Sequence, residues 1–94
     1  MKTKTTLWDA ADHLKTKEGM AAYVACALED GDPALIAAAL GDIARAQGMT
    51  KIAKRTGLGR ESLYKTLSRE GNPAFATVLK VLNSVGLKLK AVPG

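Results

Sequence analysis

The stretch Met49–Ser68, MTKIAKRTGLGRESLYKTLS, returns apolar residues at helical spacing on both sides of two glycines, Gly57 and Gly59. Each glycine costs a helix interior about 1 kcal/mol relative to alanine, so one continuous helix is a poor reading. Two short helices crossing at a steep angle need a small residue where they touch. They also need a residue that tolerates a left-handed backbone, and apolar residues that lock both to a third helix. Ala53 lies four residues before Gly57, Leu58 follows in the turn, and Leu63 comes six residues after the glycine, with Ile52 and Leu67 completing the inner face. The pattern predicts a helix-turn-helix over 49–68, with Ala53, Gly57, Leu58 and Leu63 as its structural positions.

In that arrangement the second helix enters the major groove of DNA with its N-terminal end toward base edges. Gly59 opens that end without a side chain, Arg60 and Glu61 form the first turn, and Tyr64 and Lys65 lie one turn on. Arginine bonds guanine bidentately and glutamate accepts from cytosine, so these positions suit base reading. Thr50, Lys51 and Lys54, with Arg69 at the far end, are the candidates for phosphates. With ~4 such contacts, the logarithm of affinity falls against the logarithm of salt with a slope of about −3.6 per copy. Two plainer explanations compete: a solvated basic face, and an ordinary Gly-x-Gly loop. The Ala, Gly, Leu spacing and the charge distribution described below favour the helix-turn-helix. The stretch GLGRES also resembles the start of a dinucleotide fingerprint, but Ser62 replaces the third glycine and no strand precedes it.

Working outward, Thr16 precedes KEGMAAYVACALEDG, where Met20, Val24, Ala27 and Leu28 share a helical face and Gly31 supplies a stop. Asp32 and Pro33 form a strong start signal, since aspartate accepts from free amides and proline has none to waste at the first position. The helix they open places Ile36, Leu40 and Ile43 in a stripe and ends near Gly48. After the broken pair, Asn72 and Pro73 repeat the same logic, leading a helix striped by Phe75, Val78, Leu79 and Leu82 that stops at Gly86. A short helix opening near Asp9, anchored by Trp8, is expected within an N-terminal arm over 1–15. In the tail, Leu87, Leu89 and Ala91 alternate with Lys88 and Lys90, the period of a strand over 87–92. A lone strand is unstable, so these three residues are expected to pair between two copies of the chain.

Ninety-four residues suit one domain with one modest core. Hydrophobic residues make up 47% but only four are aromatic, so the core must be built from Ala, Leu, Val and Ile. No run approaches the ~20 apolar residues of a membrane span, and MKTKTTLWDA lacks a signal peptide's apolar block; a cytoplasmic location with no membrane partner is expected. The single cysteine, Cys26, excludes an internal disulfide and reads as a small buried hydrophobe. Charge is divided unevenly. Residues 1–48 hold five Lys or Arg against seven Asp or Glu, net −2, whereas residues 49–94 hold nine against two, net +7. The positive half begins at the quoted stretch.

Catalysis finds no support. His13, beside Asp12, is the only histidine, and no nucleophile set or typical zinc site can be assembled. No catalytic residue, metal or cofactor is expected.

The segments LEDGDP, ALGDIARA with a following GM, and GLGRESLYKTLS continuing to GNP and ATVLKVL are specific in combination. Through them, Ala21 to Lys90 resembles the short XRE-type helix-turn-helix antitoxins of the HigA-like addiction-module antidote group. The resemblance implies an all-α, lambda-repressor-like bundle of five to six helices. It also implies a partner toxin, usually a RelE/HigB-like ribonuclease that cuts mRNA, and repression of its own operon by a dimer on an inverted-repeat operator. Gly59, Arg60, Glu61, Tyr64 and Lys65 match the group's DNA-facing places, and Ala53, Gly57 and Leu63 its structural ones. No residue motif is carried over for the toxin surface; Glu18, Glu29, Asp30, Asp32 and Asp42 form an acidic complement for a basic toxin, although caps and first-turn roles explain such acids equally well. The chain shows no long disordered tail of the kind many antitoxins wrap around a toxin. Two other readings stand beside this one: a stand-alone XRE-type repressor without a toxin, and a helical interaction module that has lost DNA.

Overall fold

The computed structural model describes residues 13–94, which form five helices and no strand. The expected short helix near Asp9 with its Trp8 anchor lies outside the described residues. Helix α1 (Lys17–Asp30) begins where the Thr16 hydroxyl accepts from the Gly19 amide at 3.0 Å, and it ends at Gly31 in the left-handed conformation. Helix α2 (Pro33–Gln47) begins as the Asp-Pro pair dictates, with the Asp32 carboxylate accepting from the Ala34 amide at 3.0 Å. Gly48, at φ 104°, ends it and starts α3 (Met49–Thr56) in the same residue. Helix α4 (Arg60–Thr66) follows after a three-residue turn, and α5 (Phe75–Ser84) closes the bundle.

The turn at 57–59 is built as the sequence implies. Gly57 has φ 75°, and its amide donates to the Ala53 carbonyl at 2.9 Å, capping α3. Only glycine adopts that backbone without strain. The Thr56 hydroxyl adds a local brace, donating to the Ile52 carbonyl at 2.8 Å and accepting from the Leu58 amide at 3.3 Å.

One core joins all five helices. Leu40 and Ile43 from α2, Ile52 from α3, Leu63 from α4, Leu67 just beyond it and Val81 from α5 are fully buried. Met20 and Val24 of α1 join the same cluster. No polar or charged residue is buried among the described residues. Helix α2 is the central post, packing against α1, α3, α4 and α5. Its contact with the end of α4 is close: a Cβ on Gly41 would lie 2.1 Å from the Leu67 carbonyl oxygen. Glycine is therefore required mid-helix, where its entropic cost would otherwise disfavour it.

Five expectations are corrected. The strand over 87–92 is not formed: residues 87–94 have no regular structure, the Leu87 amide donates to the Leu82 carbonyl, and Leu87 and Leu89 pack half-buried against the chain's own core. The alternation is thus satisfied by one apolar edge lying on the bundle, with no ladder. Helix α5 starts at Phe75 rather than at the Asn72–Pro73 signal. Gly71 is pressed against the Thr66 carbonyl, where a Cβ would sit 1.9 Å away, residues 71–74 have no regular structure, and Ala74, the N-cap, is extended. Phe75 and Leu79 are exposed, and the core face of α5 belongs to Val81 and Leu82, with Val78 half-buried. In α1, Leu28 and Cys26 are exposed, because the face that Met20, Val24 and Ala27 bury, with Tyr23 half-buried beside them, is the one that meets α2 and the core. Finally, α4 stops at Thr66, two residues short of Ser68, since Leu67 leaves helical geometry to enter the core.

Candidate nucleic-acid interface

Burial of Ile52 on α3 and Leu63 on α4 fixes which way the rest of each helix points. Helical periodicity places Thr50, Lys51 and Lys54 away from Ile52, and Glu61, Tyr64 and Lys65 away from Leu63, while Arg60, one turn before Leu63, flanks the buried face at the open end of the helix. All seven are exposed. Gly59, the N-cap of α4, is exposed too and provides no side-chain cap. The structural residues lie opposite: Ala53 and Leu58 are half-buried against the core beneath the turn.

The charge on this edge is left open. Residues 49–66 contain five Lys or Arg and one carboxylate, Glu61. Among the described residues the one ion pair is Asp42–Arg45 on α2, so no cation of α3 or α4 is neutralised by a carboxylate. Arg60 is held differently: its guanidinium carbon lies 5.6 Å from the centroid of the Tyr64 ring, within cation–π range. Arg55 turns the other way and donates to the Ser84 carbonyl at 2.9 Å, binding α3 to the C-terminal end of α5, where a positive charge is favourable.

Arg69 is set apart from the lysines of α3. It is exposed and lines a shallow cleft with Tyr23, Cys26 and Asp42, on the side of α1 and α2. Asp42 receives the Tyr23 hydroxyl at 2.5 Å and an Arg45 nitrogen at 2.9 Å. Partial burial, then the hydrogen bond and negative charge of Asp42, push the Tyr23 phenol up to about 12, against the opposing pull of Arg45. The Asp42–Arg45 half of this bridge follows from i, i+3 spacing on a helix; Tyr23, nineteen residues earlier, gave no sequence signal. Arg55 and the close approach at Gly41 were also missed, although an isolated glycine inside a helical pattern is itself a packing signal.

Of the acidic residues, Asp32 caps α2 and Asp42 is tied into the tyrosine bridge. Glu18 sits in the first turn of α1, where negative charge is stabilising. Glu29 and Asp30 occupy the last turn of α1 with no basic residue beside them in that turn, and both are exposed. Among the described residues no cluster of His, Cys, Asp or Glu could hold a metal ion, and no helix is long and apolar enough to cross a membrane.

The fold and this edge define, among the described residues, a small helical bundle that exposes cations without carboxylate partners on two short helices. Within that class, residues 4–93 match the model of a family described as "Probable addiction module antidote protein", and the chain belongs to that family. An uncharacterized protein of Haemophilus influenzae is 46% identical over 83 residues, covering 88% of this chain and 86% of the relative. No solved structure matches.

Proposed function

We propose that this antidote acts as an XRE-type, HigA-like antitoxin that neutralises a RelE/HigB-like mRNA-cleaving toxin and represses its own operon through α3 and α4. The observation that carries the DNA half is the exposed set of Lys51, Lys54 and Lys65, none paired with a carboxylate among the described residues, together with Arg60 and Glu61 on a helix pair turned at Gly57. Arg60, Glu61, Tyr64 and Lys65 face the bases, and Thr50, Lys51 and Lys54 take the phosphates. Gly59 lets the backbone approach. Arg69 serves only a strand that wraps toward α1 and α2.

The toxin half rests on family membership, supported by Glu29 and Asp30. Two acids in the last turn of a helix oppose its dipole, so the fold gains nothing from them, and with exposed Leu28 they form an acidic-apolar edge that suits a basic partner. Two copies of the chain occupy the two halves of an inverted repeat, with exposed Ala91 more accessible to a second copy than the half-buried Leu87 and Leu89.

The test has two arms. Co-expression with the small basic protein encoded beside this gene should restore growth, and the chain should bind a duplex from upstream of its own gene over a scrambled one. Binding without rescue points to the stand-alone repressor. Rescue without binding points to an interaction module. Sedimentation of the full chain across a concentration range reads the dimer.

A further inference from the structure

We infer that Tyr64 does not read a base itself but positions Arg60, so that the guanidinium is presented edge-on to one guanine in each half-site. The inference rests on the DNA reading above and deepens it by assigning one base and one positioning residue.

Arg60 is the first residue of α4, and Tyr64 lies four residues on, directly above it on the same outer side. The guanidinium carbon is 5.6 Å from the centre of the ring, and Tyr64 is 41% exposed, so the pair stands on the surface facing solvent. The form of the contact matters. An arginine held by a carboxylate gives its forked N–H donors to that partner, whereas an arginine held over a ring uses the face of its plane and keeps the N–H edge free. The nearest carboxylate in sequence, Glu61, is rotated about 100° around the helix, and no carboxylate pairs with Arg60 among the described residues. The donors that match guanine O6 and N7 are therefore unspent, with the Tyr64 ring beside them. A tyrosine in this place acts as a rest for the arginine.

The chemistry separates Tyr64 from a base contact of its own. If the ring is the working part, phenylalanine replaces it and a flexible or ringless side chain does not. If the hydroxyl touches DNA, phenylalanine fails too.

The experiment selects bound sequences from a pool of duplexes with randomised interiors, using the full wild-type chain. It then measures affinity by fluorescence anisotropy on the best duplex and on the version with the chosen G·C pair replaced by A·T. Wild type should enrich a guanine at one position per half-site, and Arg60→Ala should erase that preference. Tyr64→Phe should keep the G·C over A·T ratio, while Tyr64→Leu and Tyr64→Gln should lower it by about two- to fivefold, with the salt slope and helix content unchanged. Selection of no sequence by wild type overturns the DNA reading and this inference with it. An Arg60-dependent guanine whose ratio survives both ringless variants overturns the inference alone, and so does an equal loss in Tyr64→Phe.

Discussion

The two halves of the molecule are built differently. Helices α1 and α2 are fourteen and fifteen residues long and each opens on a side-chain cap, with Asp32 capping and Asp42 tied to a tyrosine. Helices α3 and α4 are eight and seven residues long, have no side-chain cap, and place cations in water. Helices that short do not persist alone. They exist because Ile52, Leu63 and Leu67 are inserted into the core around α2. The comparison teaches that the stable half dictates the direction of the charged half, so the two can be perturbed separately.

The largest effect is expected in the scaffold. Leu40→Ala, at a fully buried position, should destabilise the fold by about 3 kcal/mol, read as a lowered midpoint in urea unfolding. Gly41→Ala drives a Cβ into the Leu67 carbonyl and should cost about 2 kcal/mol; because the strain falls on the end of α4, it should also weaken DNA binding. Loss of stability with untouched DNA affinity at this position would break the link between the halves.

A purely electrostatic perturbation sharpens the comparison from the other side. Lys51→Ala with Lys54→Ala should leave thermal unfolding within about 0.5 kcal/mol of wild type, while reducing the magnitude of the salt slope by about 1.8. The turn that joins the charged helices comes next. A Cβ at Gly57 meets nothing within 4 Å, so Gly57→Ala should cost about 1 kcal/mol through backbone conformation alone.

The smallest effect belongs to the acidic half. The folded-state phenol of Tyr23 sits at about 12, above its ordinary value of 10.0, so the neutral form is the one the fold favours. Its stabilisation is complete below pH 10 and is lost as pH rises through 12. The stability difference between wild type and Tyr23→Phe, at most about 1 kcal/mol for a partly exposed hydrogen bond, should therefore shrink over that window in denaturant titrations.

Much of this division is legible in the residues. The Asp32–Pro33 start, the Gly31 and Gly48 stops and the turn at Gly57 are local signals, because each depends on one residue's backbone or side chain. The exposure of Glu61, Tyr64 and Lys65 follows from the period of the helix once Leu63 is inside, whereas Arg60, one turn before Leu63, is exposed at the open first position of α4. What the sequence withheld depends on contacts between distant residues. Alternation in Leu87 and Leu89 specifies one apolar edge, and an irregular segment lying on the bundle satisfies it as well as a strand does. The Asn72–Pro73 signal was overruled by the close packing of Gly71 on Thr66. Cys26 has the composition of a core residue, but the helix rotation set by Met20 and Val24 turns it outward.

The central claim is that α3 and α4 present a DNA-binding edge. The most direct measurement is the anisotropy of a labelled duplex from upstream of this gene, titrated with the full chain between about 50 and 200 mM salt. Specific binding with a slope at least as steep as about −1.8 per copy, the value set by Lys51 and Lys54 on phosphates, and loss of its preference over a scrambled duplex in the Arg60→Ala, Lys65→Ala double variant, is the predicted result. Equal affinity of the wild-type chain for the two duplexes, or a double variant that binds as wild type does, would contradict it.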